Sequence, residues 1–211
     1  MAEVMIEEVA QPVRDMYNRG FAALERGNLD YAIDLFSSSL EVEPGLLQAR
    51  RCLRAASIQK KKGSKPSPLD PVISGIKCFP FHCKTWMLGV TKKYDKALIA
   101  SEQLLQVDPL RAASVLTFAN AAEAAGFPEA AIQTMEIMRE HSPDNIKVLR
   151  SLADSYLEVG NTQASRDCFE KLNDLRPNDL EITKAYKDAM ARHSMDRGGW
   201  QQTAEGEGSF R

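Results

Sequence analysis

The sequence predicts an all-α protein made of antiparallel helix pairs repeated along the chain. Three observations carry that expectation. Of the 211 residues 44% are apolar, alanine and leucine are common and β-branched runs are scarce, a balance that favours helices over sheets. Pro109, Pro143 and Pro177 fall 34 residues apart. Gly27, Gly126 and Gly160 each stand 17 residues before a proline, at Pro44, Pro143 and Pro177. A fixed period of this length marks a repeat architecture, in which each unit hides its apolar face only against a neighbour.

Each mark has a physical task. The glycine closes a first helix, because it enters the left-handed cap conformation without a Cβ penalty. A small residue then lets a second, antiparallel helix approach closely, and a large one fills the space beside it. These pairs are Ala32 and Phe36, Ala131 and Met135, and Ser165 and Phe169. The proline ends the second helix and opens the next unit, since it suits a first helical turn but not an interior.

The elements follow in order. Residues 1–11 form an N-terminal segment. The first unit, 12–44, carries Met16, Gly20, Ala23, Gly27, Ala32, Phe36 and Ser39. Residues 45–77 form a degenerate unit with an insertion. Its first helix is "GLLQARRCLRAASIQ", with Leu46, Ala49, Leu53 and Ala56 on one face. Its second would fall near 63–76, where Pro66, Pro68 and Pro71 forbid a regular helix; a loop with a short helix after Pro71 is expected instead. The unit 78–109 ends in "YDKALIASEQLLQVDP", with Ala97 at the small position and Lys92 where glycine is expected. The unit 110–143 shows Val115, Phe118, Ala119, Ala122, Gly126, Ala131 and Met135. The unit 144–177 shows Leu149, Leu152, Ala153, Tyr156, Gly160, Ser165, Phe169 and Leu172. Residues 178–193 read as an amphipathic capping helix through Leu180, Ile182, Ala185, Tyr186 and Ala189, closing the last apolar face. The tail 194–211 is polar and glycine-rich, and is expected to be mobile; Trp200 and Phe210 stand out in it.

In period and phase these residues resemble the tetratricopeptide repeat family over roughly 12–193. The unit 144–177 is nearest the family frame, with Leu149 in place of its tryptophan. The resemblance implies a right-handed α-solenoid whose first helices line a concave face that holds a peptide or helix of a partner. It places Tyr17, Phe21 and Leu24, then Leu116, Asn120 and Glu123, then Lys147, Arg150 and Asp154 on that face. A solvated surface is the competing reading for the charged ones. One subfamily clamps C-terminal carboxylates of chaperones. Asn120 and Lys147 match its positions, but Leu116 and Ser151 replace a clamp lysine and asparagine, so chaperone-tail binding is not expected.

The net charge of −2 is unevenly spread: residues 47–96 carry +10 and the rest −12. Such a block can hold an acidic partner, a phosphate backbone or an anionic membrane, or attract the acidic remainder of its own chain. Arg50, Arg51 and Arg54 on one helix could meet phosphates, but no aromatics are interleaved with them as stacking platforms, so nucleic acid is not the expected partner. The stretch "CFPFHCKTWMLGV" admits two readings. Thr85–Val90 begins a repeat, with Trp86 and Leu88 packed inward. Alternatively Phe79, Phe81, Trp86 and Met87 form an exposed patch among Lys60, Lys61, Lys62, Lys65, Lys92 and Lys93, which docks a partner or lies on a membrane interface.

No signature of catalysis, phosphate cradling or metal capture is present. Cys78, His82 and Cys83 lack the second ligand pair of a zinc site. No cofactor is expected, and enzymatic activity is not. Cys52, Cys78, Cys83 and Cys168 are irregularly spaced, as buried thiols in a reducing compartment would be. The acidic start "MAEVMIEEVA" resembles no signal peptide, and no apolar run nears the roughly 20 residues of a membrane span. The expected place is the cytoplasm, with peripheral membrane contact as the alternative. The expected role is a non-catalytic scaffold or adaptor for another protein; the oligomeric state is left open.

Overall fold

The computed structural model describes residues 3–63 and 70–205. Among these residues all regular structure is helical, in ten helices: α1 (Gln11–Glu25), α2 (Leu29–Val42), α3 (Leu47–Gly63), α4 (Asp70–Val90), α5 (Tyr94–Val107), α6 (Ala112–Ala124), α7 (Pro128–His141), α8 (Ile146–Glu158), α9 (Thr162–Leu175) and α10 (Leu180–Glu205). They form two compact units, residues 1–141 and 142–211.

The turns explain the repeat. Gly27, Gly126 and Gly160 all have positive φ, between 75° and 85°. After each, the next N–H reaches back to a carbonyl in the preceding helix: Asn28 to Ala23 (2.9 Å), Phe127 to Ala122 (2.8 Å) and Asn161 to Tyr156 (2.8 Å). This closure satisfies carbonyls that a helix end would otherwise strand. Between α4 and α5 the same turn is made without glycine. Lys92 takes φ 57°, and the Lys93 N–H donates to the Leu88 carbonyl at 2.9 Å. The backbone thus keeps the repeat where the sequence loses it.

In the first unit α1, α2 and α3 pack in sequence around Val13, Ala23, Ala32, Phe36, Leu40, Leu46 and Leu53. Gly20 lies against the Phe36 ring, where a Cβ would come within 2.9 Å. The N-terminal segment is tied to this group. Val4 bridges to Leu46 beside α3, and the Glu3 carboxylate accepts the Ala130 N–H in the first turn of α7. Helices α4 to α7 form a second group of consecutive antiparallel neighbours. Among the described residues α3 is followed by no second helix of its own unit; it packs on α1, α2, α5 and α7.

Two sequence expectations are corrected here. A short helix after Pro71, followed by a separate one from Thr85, is replaced by the 21-residue α4, which begins eight residues before the expected boundary at 78. Pro71 stands in its first turn, where proline is tolerated. Pro80 lies inside it on the exposed side, so the carbonyl it deprives of a partner is open to water. Lys65, Pro66 and Pro68 lie outside the described residues.

The second unit is regular. α8 and α9 bury Leu149, Leu152, Ala153, Tyr156, Phe169 and Leu172. α10 packs on α9, with Ile182 and Ala189 buried. The Asp179 carboxylate caps its start by accepting the Glu181 and Ile182 N–H groups. α10 continues to Glu205, so 194–205 of the expected mobile tail is helical. The side chain of Trp200 and all of Phe210 lie outside what the structure describes.

Candidate docking groove

Part of the basic block is spent inside its own chain. Arg50 and Arg54, one turn apart on α3, are each 1% exposed and grip one carboxylate, Glu102 of α5. Arg50 Nε donates to Glu102 at 2.7 Å and its Nη2 to the Pro44 carbonyl at 2.7 Å. Arg54 Nη2 takes the other carboxylate oxygen. Burial alone would push the Glu102 carboxyl up, but the charges and hydrogen bonds of Arg54 and Arg50 outweigh it and hold the group below the usual range. Guanidinium nitrogens without N or O partners face rings instead. Arg54 lies 4.9 Å from the centre of Phe118, and Arg50 5.6 Å from Phe118 and 6.0 Å from Phe127. These two arginines are therefore not available to phosphates; only Arg51 of the three is exposed. Lys60 pairs with Asp30 and Lys61 with Asp108, while Lys62 lies 3.3 Å from His141. A cleft of about 340 Å³ between α2 and α5 has Arg50 and Glu102 in its lining.

The open lysines lie elsewhere. Lys77, Lys84, Lys92 and Lys93 are exposed on and just after α4, with no ion pair among the described residues. Beside them α4 turns apolar residues outward. Phe79 is 68% exposed, Trp86 73% and Ile76 70%, with Val72, Met87 and Val90 also exposed. Trp86 thus does not pack inward, and Leu88 is half-buried. Phe81 is half-buried as well. Of the lysines expected beside these residues, Lys60 and Lys61 are engaged with Asp30 and Asp108.

Between α4 and α6 runs a groove of about 580 Å³. Trp86, Val90, Tyr94 and Ala124 give it apolar walls, and Thr117 and Asn120 supply polar groups. His82 of α4 meets Thr117 Oγ1 through Nδ1 at 3.0 Å. Burial, then the nearby Arg111 charge, pushes the His82 pKa down, which favours the neutral ring. The buried Thr85 hydroxyl in the groove lining has no hydrogen-bond partner among the described residues. Cys78 is buried, with the Ser114 hydroxyl 4.0 Å from its sulfur, while Cys83 is exposed.

The residues assigned to a concave face fall into three sets. In α1, Tyr17 and Leu24 are half-buried against the first core, and Phe21 is exposed. The Tyr17 ring packs on Phe36 at 5.8 Å and Phe21 at 6.3 Å, and burial with a contact to Cys52 pushes its phenol up to about 12. In α6, Asn120 is exposed in the groove, and Leu116 and Glu123 are half-buried. In α8, Lys147, Arg150 and Asp154 are exposed; Arg150 pairs with Asp154 at 3.3 Å and lies 5.5 Å from the Phe169 ring. Sequence reasoning missed His82, Thr117, Val90 and Tyr94 as groove-lining residues. The 3–4 spacing of apolar residues from Val72 to Val90 was the available signal, obscured by Pro80.

No protein-family model matches the sequence, and no curated protein matches it. Solved structures do. The first TPR domain of the human RPAP3 protein superposes with a TM-score of 0.50 at 14% identity, covering 57% of this chain and 95% of that one. The first TPR of Spaghetti (RPAP3) bound to an HSP90 peptide gives 0.49 at 15% identity, covering 56% and 94%. TTC0263, a thermophilic TPR protein of Thermus thermophilus, gives 0.48 at 16%, covering 85% and 99%. At such identity the likeness speaks for the fold. With four alike turns, the last three 34 residues apart, the chain has the fold of tetratricopeptide-repeat domains.

Proposed function

We propose that the protein is a non-catalytic scaffold that holds a peptide or helix of another protein in the groove between α4 and α6. One observation carries this reading: solvent-facing Trp86, Val90 and Tyr94 line a concave channel with polar Asn120 at its side. Pockets of that make-up, apolar walls with a few convergent polar groups, suit a bound chain. Large aromatics at such a place supply most of the energy of protein contacts. His82 and Thr117 are paired with each other across α4 and α6 and form part of the groove wall. The test is selection of peptides from a displayed random library by the purified chain, repeated with Asn120→Arg. Selected peptides should lose at least tenfold in affinity for the variant. If no peptide is enriched, or enriched peptides ignore the substitution, the reading fails.

A second reading has its own support. Exposed Phe79, Trp86 and Met87 beside Lys77 and Lys84 also suit the surface of an anionic membrane. Among the described residues no helix is long and apolar enough to cross a bilayer, so such contact would be peripheral. Co-sedimentation with phosphatidylserine vesicles, lost on adding salt, is the outcome that favours it.

A further inference from the structure

The groove between α4 and α6 carries no formal charge in its lining among the described residues. Trp86, Val90 and Tyr94 are apolar or aromatic, Thr117 and Asn120 are neutral, and His82 is its one imidazole. Burial, then the nearby Arg111 charge, favour the neutral ring, whose Nδ1 is already engaged with Thr117 Oγ1. The cleft between α2 and α5 is the opposite, with Asp34, Glu41, Arg50 and Glu102 in its lining. Lys84, Lys92 and Lys93 lie close by in sequence, are exposed, and do not line the groove.

That neutrality decides what can enter. A carboxylate or an ammonium group moved in from water loses hydration, and the lining holds no counter-charge to replace it. Apolar side chains are favoured there instead. Shape adds to this. Ala97 and Ala121 are buried small residues of the lining, and Gly89, three residues along α4 from Trp86, has no side chain at all. A Cβ added at Gly89 would meet no atom within 4 Å. The groove is thus open where α4 could have filled it, on the helix face of an exposed indole. Asn120, also exposed, offers one carbonyl and one amide nitrogen, the two groups that match a peptide bond.

We infer that the groove receives a short uncharged segment of another protein, which seats apolar side chains against Trp86 and Tyr94 and a peptide group on Asn120, and that it turns acidic and basic side chains away. The inference rests on the reading of the groove as a peptide site, and names the chemistry of the peptide. Discrimination comes from what the lining lacks: a charged rival is rejected because it would stand there without a counter-ion.

The test uses the displayed random library on the full chain, then synthetic copies of the enriched peptides read by fluorescence anisotropy. Sequences enriched on the parent and lost on Asn120→Arg should hold uncharged residues, and no Asp, Glu, Lys or Arg, at the selected positions. A twin with aspartate or lysine at the most strongly selected apolar position should bind at least tenfold more weakly. Affinity of the unaltered peptide should change less than about twofold between low and high salt. Gly89→Phe puts a ring into the open space and should lower affinity at least tenfold, with the melt by circular dichroism unchanged. Asn120→Arg sets a cation in the lining and should bind the aspartate twin more tightly than the parent chain does, which bulk alone would not produce. That variant lies at an exposed position and keeps the test decisive should Gly89→Phe melt early. Fixed acidic or basic residues in the enriched peptides, twins that bind as well as the original, binding that weakens as salt rises, or an Asn120→Arg chain that gains nothing for the aspartate twin overturns this inference and leaves the scaffold reading standing. A library that yields no peptide overturns both.

Discussion

The pair α8/α9 and the stretch α3–α4 sort polarity in opposite ways. In α8/α9 the apolar residues Leu149, Leu152, Tyr156, Phe169 and Leu172 are buried, and the Arg150–Asp154 pair is on the surface. In α3–α4 charges lie inside, at Arg50 and Arg54 against Glu102 of α5, while Ile76, Phe79 and Trp86 face water. The difference follows from the packing of α3. Among the described residues no second helix of its unit follows it, and α3 turns to α5 and α7 through a charged junction.

The largest effect should come from breaking the charged junction. Glu102→Leu strands two buried arginines, and we expect a loss of about 3 to 5 kcal/mol in urea unfolding. Asp154→Ala, which removes an exposed partner, should cost at most about 0.5 kcal/mol. Replacing the trio together, Arg50→Leu, Arg54→Met and Glu102→Leu, should recover most of the loss, because no charge is then stranded. pH sharpens the contrast. The Glu102 carboxyl is held down in the folded chain, so its contribution is complete above the ordinary glutamate range near 4.5 and fades as pH falls below it. Glu3 runs the other way. Burial first, and then Glu129, raise its pKa against the hydrogen bond from Ala130, so it binds its proton more readily when folded, and its part grows more favourable on acidification. An acid titration of stability should therefore fall less steeply in Glu102→Leu than in the parent.

Truncation of an apolar side chain gives the next contrast. Leu152→Ala empties a fully buried site and should cost about 2 to 5 kcal/mol by thermal or urea melts. Ile76→Ala on α4 should move stability by less than about 0.5 kcal/mol, since the side chain is 70% exposed. A large loss at Ile76 would mean that this face of α4 is already covered within the chain.

The repeat itself was legible because its marks are local. A positive-φ turn selects glycine, and a helix start accepts proline, whatever surrounds them. Hence the helix pairs around Gly27, Gly126 and Gly160 could be read from spacing. The places that escaped depend on distant partners. Arg50 and Arg54 look like a solvated basic face until Glu102, about fifty residues on, is brought between them. Pro80 suggests a break, yet it falls on the side of α4 where a lost hydrogen bond can be made to water. The groove was half visible. Asn120 and Trp86 were named from the sequence, whereas His82 and Thr117 join only through the packing of α4 on α6.

The turns provide the smallest and most diagnostic effects. Gly160–Asn161 and Lys92–Lys93 occupy the same backbone shape, but only the first has the residues that shape prefers. Gly160→Ala forces a Cβ into the left-handed region and should cost about 1 kcal/mol, though nothing crowds the site. Lys92→Gly should gain a similar amount. Asn161 caps α9 by accepting the Ala164 N–H at 3.1 Å, and Asn161→Ala should cost about 1 kcal/mol; Lys93 before α5 makes no such bond, and Lys93→Asn should add somewhat less. The double variant Lys92→Gly with Lys93→Asn should therefore melt later than the parent in a thermal scan, and a melt that does not rise would mean that the turn after α4 is held by contacts other than its own backbone shape.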